Sequence, residues 1–348
     1  MTSVAKAGSR RRFLFPVRVR VALISTVLLW NFGLTALEKR RMESSATVAA
    51  SAPAAPLVAS STLLSDVKLL SDPSLEGRLT GSQGNHRAQA LILERFKQIG
   101  LEPVGGWFEQ KFSFTRHSIR GLLTPGRAYR TEFPDATNLA GAVRGSSQPD
   151  SWTIVTAHYD HLGIREGELY PGADDNASGV STLLATARYF AAHRPAQSIL
   201  FVTFDAEEQG LKGSSYFVEH SPIDLSRVAL VVNLDMVSRG DAGVIVASGT
   251  RGDAALQALV RGAATSRGLS VQFGHDRPWY LGGRVEDWSG SSDHGPFLEA
   301  GVRALYYGVE DHDDYHRPGD TADRIPPAFF AEAASLVIDT VRAIDGQR

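Results

Sequence analysis

Four short runs of almost uninterrupted apolar residues, each ending abruptly in ionisable side chains, constrain this chain more than any other feature. They are Trp152–Ala157, Ser198–Phe204, Val228–Leu234 and Arg303–Tyr307. Runs of that length and density are what strands buried on both faces require, as in parallel sheets. Helical stretches lie between them, near Val180–His193, Gly213–His220 and Asp253–Arg267. Upstream, Leu63, Leu64, Val67 and Leu70 share one helix face, and Ala88, Leu91, Ile92, Phe96 and Ile99 share another that Gly100 ends. Such alternation implies an α/β domain with a mixed, mainly parallel central sheet flanked by helices. Residues 107–150 read as short strands and loops without an evident order.

In sheets of this class, ligands bind beyond the carboxyl ends of the strands. The first run is followed by His158-Tyr159-Asp160-His161, the second by Asp205-Ala206-Glu207-Glu208 and the third by Asp235. Beyond the fourth lie Asp311 to Asp314 and then Tyr315-His316. A separate Gly172-Ala173-Asp174-Asp175-Asn176-Ala177-Ser178-Gly179 opens a helix. Carboxylates gathered on one sheet edge repel one another unless a cation joins them, so one divalent ion or two is expected there. The chain has no cysteine, so a transition-metal site must be built from His, Asp and Glu. Asp160, two residues past His158, is placed to accept from the second ring nitrogen of His158 and fix its tautomer. Adjacent Glu207 and Glu208 can divide labour, one binding metal while the other takes a proton from water. Taken singly, a strand-end Asp or a loop His is commonplace; their recurrence at four strand exits carries the reading.

The overall charge of −2 conceals an asymmetry: residues 1–41 hold nine basic side chains and one acid, leaving the remainder near −10. So acidic a domain repels phosphate backbones, which argues against a nucleic-acid partner. Within the basic segment, Val21 to Leu37 is almost wholly apolar, and Ser9-Arg10-Arg11-Arg12-Phe13-Leu14 resembles the twin-arginine export consensus. The chain therefore divides into an export signal or signal anchor (1–43), an Ala/Ser/Pro-rich linker (44–60) and a globular domain (61–348). Location is expected outside the cytoplasm, periplasmic or secreted, with a membrane met only through the N-terminal segment. Cleavage and permanent anchoring are both open.

The ordered motifs resemble a known family, the two-zinc exopeptidases that include bacterial leucyl-type aminopeptidases, glutamate carboxypeptidase II and, more distantly, glutaminyl cyclases. The likeness runs from about Leu63 to Ile344. It rests on Ala157–Gly163, Gly172–Gly179, Asp205–Gly210, Asn233-Leu234-Asp235-Met236, and Tyr315-His316 with Pro318-Gly319-Asp320-Thr321. Ser292-Asp293-His294-Gly295-Pro296-Phe297 is similar to a stretch of the bacterial members. The resemblance implies that His158 and Asp235 hold one zinc ion, Glu208 and His316 a second, and Asp175 bridges them. It implies Glu207 as general base, Asp160 beside it in the catalytic set, and a cis peptide at Asp175-Asn176. Peptides with a free N-terminus are the implied substrates. Cyclase-like acyl transfer, which needs one zinc and not the first histidine, is an alternative. So is carboxypeptidase action, with Arg277 and Arg284 as candidates for the basic pocket it needs. A zinc-stabilised binding module is the non-enzyme alternative. Pro278-Trp279-Tyr280 to Trp288 reads equally as pocket or as core.

Overall fold

A computed structural model describes residues 54–117, 129–240, 243–277, 281 and 285–346. The export segment, the twin-arginine motif, Trp279, Tyr280 and Arg284 lie outside the described residues. Among the described residues no helix is long and apolar enough to cross a membrane.

In chain order the elements are α1 (Ser60–Leu70), α2 (Gln83–Ile99), β1 (Glu109–His117), β2 (Arg130–Val143), β3 (Gln148–His158), β4 (Gly163–Arg165), β5 (Glu168–Tyr170), α3 (Gly179–Ala192), β6 (Gln197–Phe204), α4 (Lys212–Glu219), β7 (Val228–Leu234), β8 (Val244–Ser248), α5 (Ala254–Ser266), β9 (Ser270–Phe273), α6 (His294–Glu299), β10 (Ala304–Gly308) and α7 (Pro327–Asp345). Eight strands form one sheet in the order β1-β2-β6-β3-β7-β10-β8-β9. Its centre, β6-β3-β7-β10, is parallel throughout. The expected architecture, mixed and mainly parallel with helices around it, is the one observed.

Side chains alternate across a strand, and here the alternation feeds two cores. Val155, Ala157, Phe201, Val232 and Leu305 meet residues of α1, α2, α3, α5 and α7. Ile154, Leu200, Val202, Phe204 and Val231 meet Phe217 of α4 and Phe297 of α6 on the other face. Helix α2 begins where the Ser82 side chain accepts from the Asn85 amide and ends at Gly100, whose φ of 84° only glycine adopts freely. The parallel register aligns the strand ends: His158 lies beside Phe204, Thr156 beside Asn233 and Tyr307 beside Leu234. Residues that follow these strands therefore converge on one edge.

One expectation is corrected. Residues 107–150 are not short strands and loops: β1 and β2 run for 9 and 14 residues and pair antiparallel. Only the second half of β2 is buried, so its exposed first half has no reason to carry a strand-like apolar pattern. The fourth apolar run also shifts by one residue, to Ala304–Gly308.

Candidate metal centre

The exit of β3 delivers His158, buried, with Nε2 3.2 Å from Asp235 Oδ1 and 3.4 Å from Asp175 Oδ1. Its Nδ1 lies 3.1 Å from the carbonyl oxygen of Asp160. A carbonyl only accepts, so that contact puts the ring proton on Nδ1 and leaves the Nε2 lone pair facing the two carboxylates. The tautomer is set by the Asp160 main chain, then, and not by its carboxylate as the spacing suggested; the nearest carboxylate oxygen is 3.8 Å from Nδ1.

The Asp160 carboxylate does other work. It accepts from the amides of Glu207 (3.0 Å) and Glu208 (3.3 Å) and from the Thr80 hydroxyl. Burial pushes it well above the usual carboxylate range, and neighbouring Asp205 adds to the shift. Asp205 accepts from the Thr137 amide, the Asn85 side chain and Thr80. Together they clamp the turn after β6, where Ala206 has a φ of 59°. Met236 and His316 are also left-handed, at 58° and 55°, a conformation that persists only when surrounding contacts enforce it.

The loop before α3 turns its two aspartates opposite ways. Asp174 accepts from the Ser238 amide and hydroxyl at 2.9 and 2.6 Å, and sits 3.2 Å from His312 Nε2. Asp175 faces the centre: its Oδ2 is 3.0 Å from His316 Nε2. The peptide Asp175-Asn176 is cis, where the resemblance put it. The Asp320 carboxylate accepts from both amides, Asp174 and Asp175, which holds the loop in place.

Two groups of donors result, sharing Asp175: His158 with Asp235, and His161 with Glu208. His316 adds a third imidazole, 3.4 Å from Glu208 Oε1. Burial raises the Glu208 carboxyl, but contacts with His161 and His316 outweigh it and hold it below its ordinary value. Burial likewise opposes protonation of His316, yet Asp175 and Glu208 push its pKa up to about 10. A proton on His316 thus does what a divalent cation would do better. Nitrogen and oxygen donors alone, around buried carboxylates, fit zinc.

Beside these donors is a cavity of about 390 Å³, lined by His158, Asp175, Glu207 and Asp235 together with Glu286, Trp288, Asp311 and Tyr315. Burial pushes the Glu207 carboxyl well above its usual range; His158 opposes the shift, and Asp293, Asp235 and Glu208 reinforce it. Trp288 is half-buried, stacks on His275 with centroids 3.6 Å apart and meets the Tyr306 edge, so it is a pocket residue.

Sequence reasoning passed over three buried residues. Arg78, with no exposed surface, donates to the carbonyls of Tyr159 (2.8 Å), Leu70, Pro171 (2.7 Å) and Gly172 (2.9 Å). Burial lowers its pKa to about 10, while Asp175, Asp320, Asp160 and Glu208 act to keep it charged. Asp293 is fully buried, and burial raises its carboxyl to about 7 although the charge of His158 opposes the shift. His161 is the third. Arg78 had no signal, since Ser74-Leu75-Glu76-Gly77-Arg78 reads as a surface turn. For Asp293 and His161 the signal was position in a motif whose other members had roles.

Comparison with known proteins now has a site to bear on. The model described as Peptidase family M28 matches residues 138–341. A protein of Pyrenophora tritici-repentis described as a probable zinc metalloprotease is 29% identical over 258 residues, 62% of this chain and 58% of that one. Aminopeptidase YwaD of Bacillus subtilis is 33% identical over 202 residues, 54% of this chain and 40% of that one. The chain thus spans little more than half, or less, of the length of these relatives. Among solved structures, the zinc aminopeptidase BSAP from Bacillus subtilis has a TM-score of 0.63 at 20% identity, covering 83% of this chain and 96% of that one. Glutaminyl cyclase from Porphyromonas gingivalis has 0.64 at 18%, covering 82% and 99%. These structural likenesses concern the fold.

Proposed function

The chain belongs to peptidase family M28, and from that premise we propose that it is a zinc-dependent aminopeptidase whose general base is Glu207. The observation that carries this reading is the placement of the Glu207 carboxylate in the same cavity as His158, Asp175 and Asp235. In the proposal His158 and Asp235 would hold one zinc ion and Glu208 and His316 a second, with Asp175 available to both. Bound there, zinc supplies Lewis acidity, lowering the pKa of water and polarising a carbonyl. Glu207 takes the proton of the attacking water as oxygen adds to the peptide carbon. It returns that proton to the leaving nitrogen as the C–N bond breaks. Asp160 acts from behind, holding the Glu207 and Glu208 amides so that the base stays aimed at the cavity.

Charge supports an aminopeptidase over a carboxypeptidase. The lining includes Glu286 and Asp311 besides the donor carboxylates, and among the described residues it has neither Lys nor Arg. An N-terminal ammonium is attracted into such a cleft and a C-terminal carboxylate is repelled. Retention of His158 supports hydrolysis over cyclisation. The proposal extends to the rest of the chain: residues 61–348 form the peptidase domain, and the N-terminal segment exports it, leaving it periplasmic, secreted or tethered.

The test is to incubate the zinc-loaded protein with a mixture of free and N-acetylated peptides and follow it by mass spectrometry. Stepwise loss of N-terminal residues from the free peptides alone is the expected result. C-terminal trimming would replace the reading by carboxypeptidase action, and ammonia loss from N-terminal Gln would replace it by cyclisation.

A further inference from the structure

Of the three imidazoles at the centre, His161 has the least accounted-for environment. Its ring has no exposed surface, and neither ring nitrogen has a hydrogen-bond partner. Two unpaired nitrogens in a fully buried ring are costly unless something satisfies them. Nδ1 lies 2.9 Å from Glu208 Oε1 and 3.6 Å from Asp175 Oδ2. Glu208 Oε1 is itself without a hydrogen-bond partner, so the 2.9 Å approach has the length of a hydrogen bond but not its direction. Both atoms are thus left with a lone pair to offer a common ion.

His316 Nε2 addresses the same two oxygens, at 3.0 Å from Asp175 Oδ2 and 3.4 Å from Glu208 Oε1. Ligand atoms about 2.0–2.1 Å from a tetrahedral zinc are separated by about 3.3–3.4 Å. The four imidazole-to-carboxylate separations of the six in such a set, from 2.9 to 3.6 Å, bracket that value. The ring is also held in place. A Cβ on Gly172, whose φ is 58°, would come within 2.6 Å of the His161 Cγ, so the loop carrying Asp175 packs directly on the imidazole.

We propose that His161 is a ligand of the second zinc ion, completing a set of four with Asp175, Glu208 and His316. Resting on the zinc-peptidase reading above, this makes the two sides of Asp175 unequal. The Glu208 side is closed by four protein ligands, as structural zinc sites are. The His158 side has three and keeps a position open for reaction. The closed side holds zinc more tightly and loses it last.

X-ray absorption at the zinc edge tests this on the full-length wild-type protein loaded with one equivalent of zinc. Two imidazoles per zinc are expected, and one would overturn the assignment. Zinc titration against a competing chelator gives an independent readout. His161→Gln should weaken the tighter site by at least roughly 100-fold, the upper end of what losing a supporting residue costs, and leave the weaker site within about threefold. Melting of the zinc-free variant at the wild-type zinc-free temperature shows that it folds. Two sites of unchanged affinity in a folded variant overturn the inference and leave the peptidase reading intact. Wild-type protein that binds no zinc overturns both.

Discussion

The two walls of the cleft are built on different terms. One set, the inner wall, is His158, Asp175, Glu207 and Asp235, which leave the ends of parallel strands or the loop before α3. Behind it the Asp160 carboxylate holds the Glu207 amide and Asp320 the Asp175 amide, across 47 and 145 residues of sequence. On the outer wall, Glu286, Trp288, Asp311 and Tyr315 come from the connections around β9 and β10. The Trp288 amide donates to the His275 carbonyl at 2.7 Å, and beyond that main-chain bond its side chain is placed by ring contacts with His275 and Tyr306. A wall wired from several elements can keep reacting groups within a few tenths of an ångström, and a wall packed through rings can vary its shape. The inner wall should therefore govern turnover, and the outer wall the choice of substrate.

Four measurements break or sharpen that contrast. The largest effect belongs to Glu207→Gln, which removes the proposed base but keeps its volume. kcat for a free-N-terminus peptide should fall about 10³-fold, within the range assigned to general acid–base catalysis, with zinc content unchanged. A fall below tenfold would move the base elsewhere on the inner wall.

Arg78→Met probes the underside of the same wall. It leaves four backbone carbonyls without their donor and the carboxylates above without a buried cation. Denaturant unfolding should show a loss of about 3–5 kcal/mol, the scale for breaking a buried charged contact. A loss under about 1 kcal/mol would mean the loop carrying Asp175 is held from elsewhere.

His294 is buried behind the lining, its ring 5.1 Å from that of Tyr306, which does line the cavity. Burial lowers its pKa to about 4, below the unfolded value of about 6.5. Between those two values the unfolded chain binds a proton that the folded chain does not. The stability from keeping His294 neutral is therefore complete above pH 6.5 and lost progressively down to about pH 4, by up to about 3 kcal/mol. Asp293, raised by burial to about 7, acts in the opposite sense, so the decisive quantity is the difference between wild type and His294→Gln. That difference should shrink on acidification from pH 7 to 4.5, and a constant difference would show His294 to be solvated.

The smallest effect tests the outer wall. Trp288→Ala should raise KM about tenfold, near 1.4 kcal/mol, and change kcat by less than about threefold. If kcat falls instead while KM holds, the outer wall takes part in the chemistry and the contrast fails.

What could be read in advance follows the same division. His158, Glu207 and Asp235 were legible because a strand buried on both faces is a dense apolar run, and an ionisable group at its end is conspicuous. Arg78 was not, because nothing local separates a buried arginine from one in a surface turn, and His161 stood inside a motif without a role of its own. The β1–β2 hairpin escaped notice because half of β2 faces solvent.

Apolar runs and their spacing determined a parallel α/β sheet and a row of ionisable groups along its carboxyl edge, since burial on both faces and a period of two are properties of the chain itself. Only the tertiary structure decided that Asp174 turns away to Ser238 and His312, that the Asp160 carbonyl and not its carboxylate orients His158, and that Arg78 lies beneath them. The first and last of those outcomes depend on Asp320, Ser238 and the carbonyls of Tyr159 and Gly172, partners 64 to 146 residues away. A polar side chain is buried, aimed and charged by whatever meets it there, and its neighbours in sequence carry no record of that.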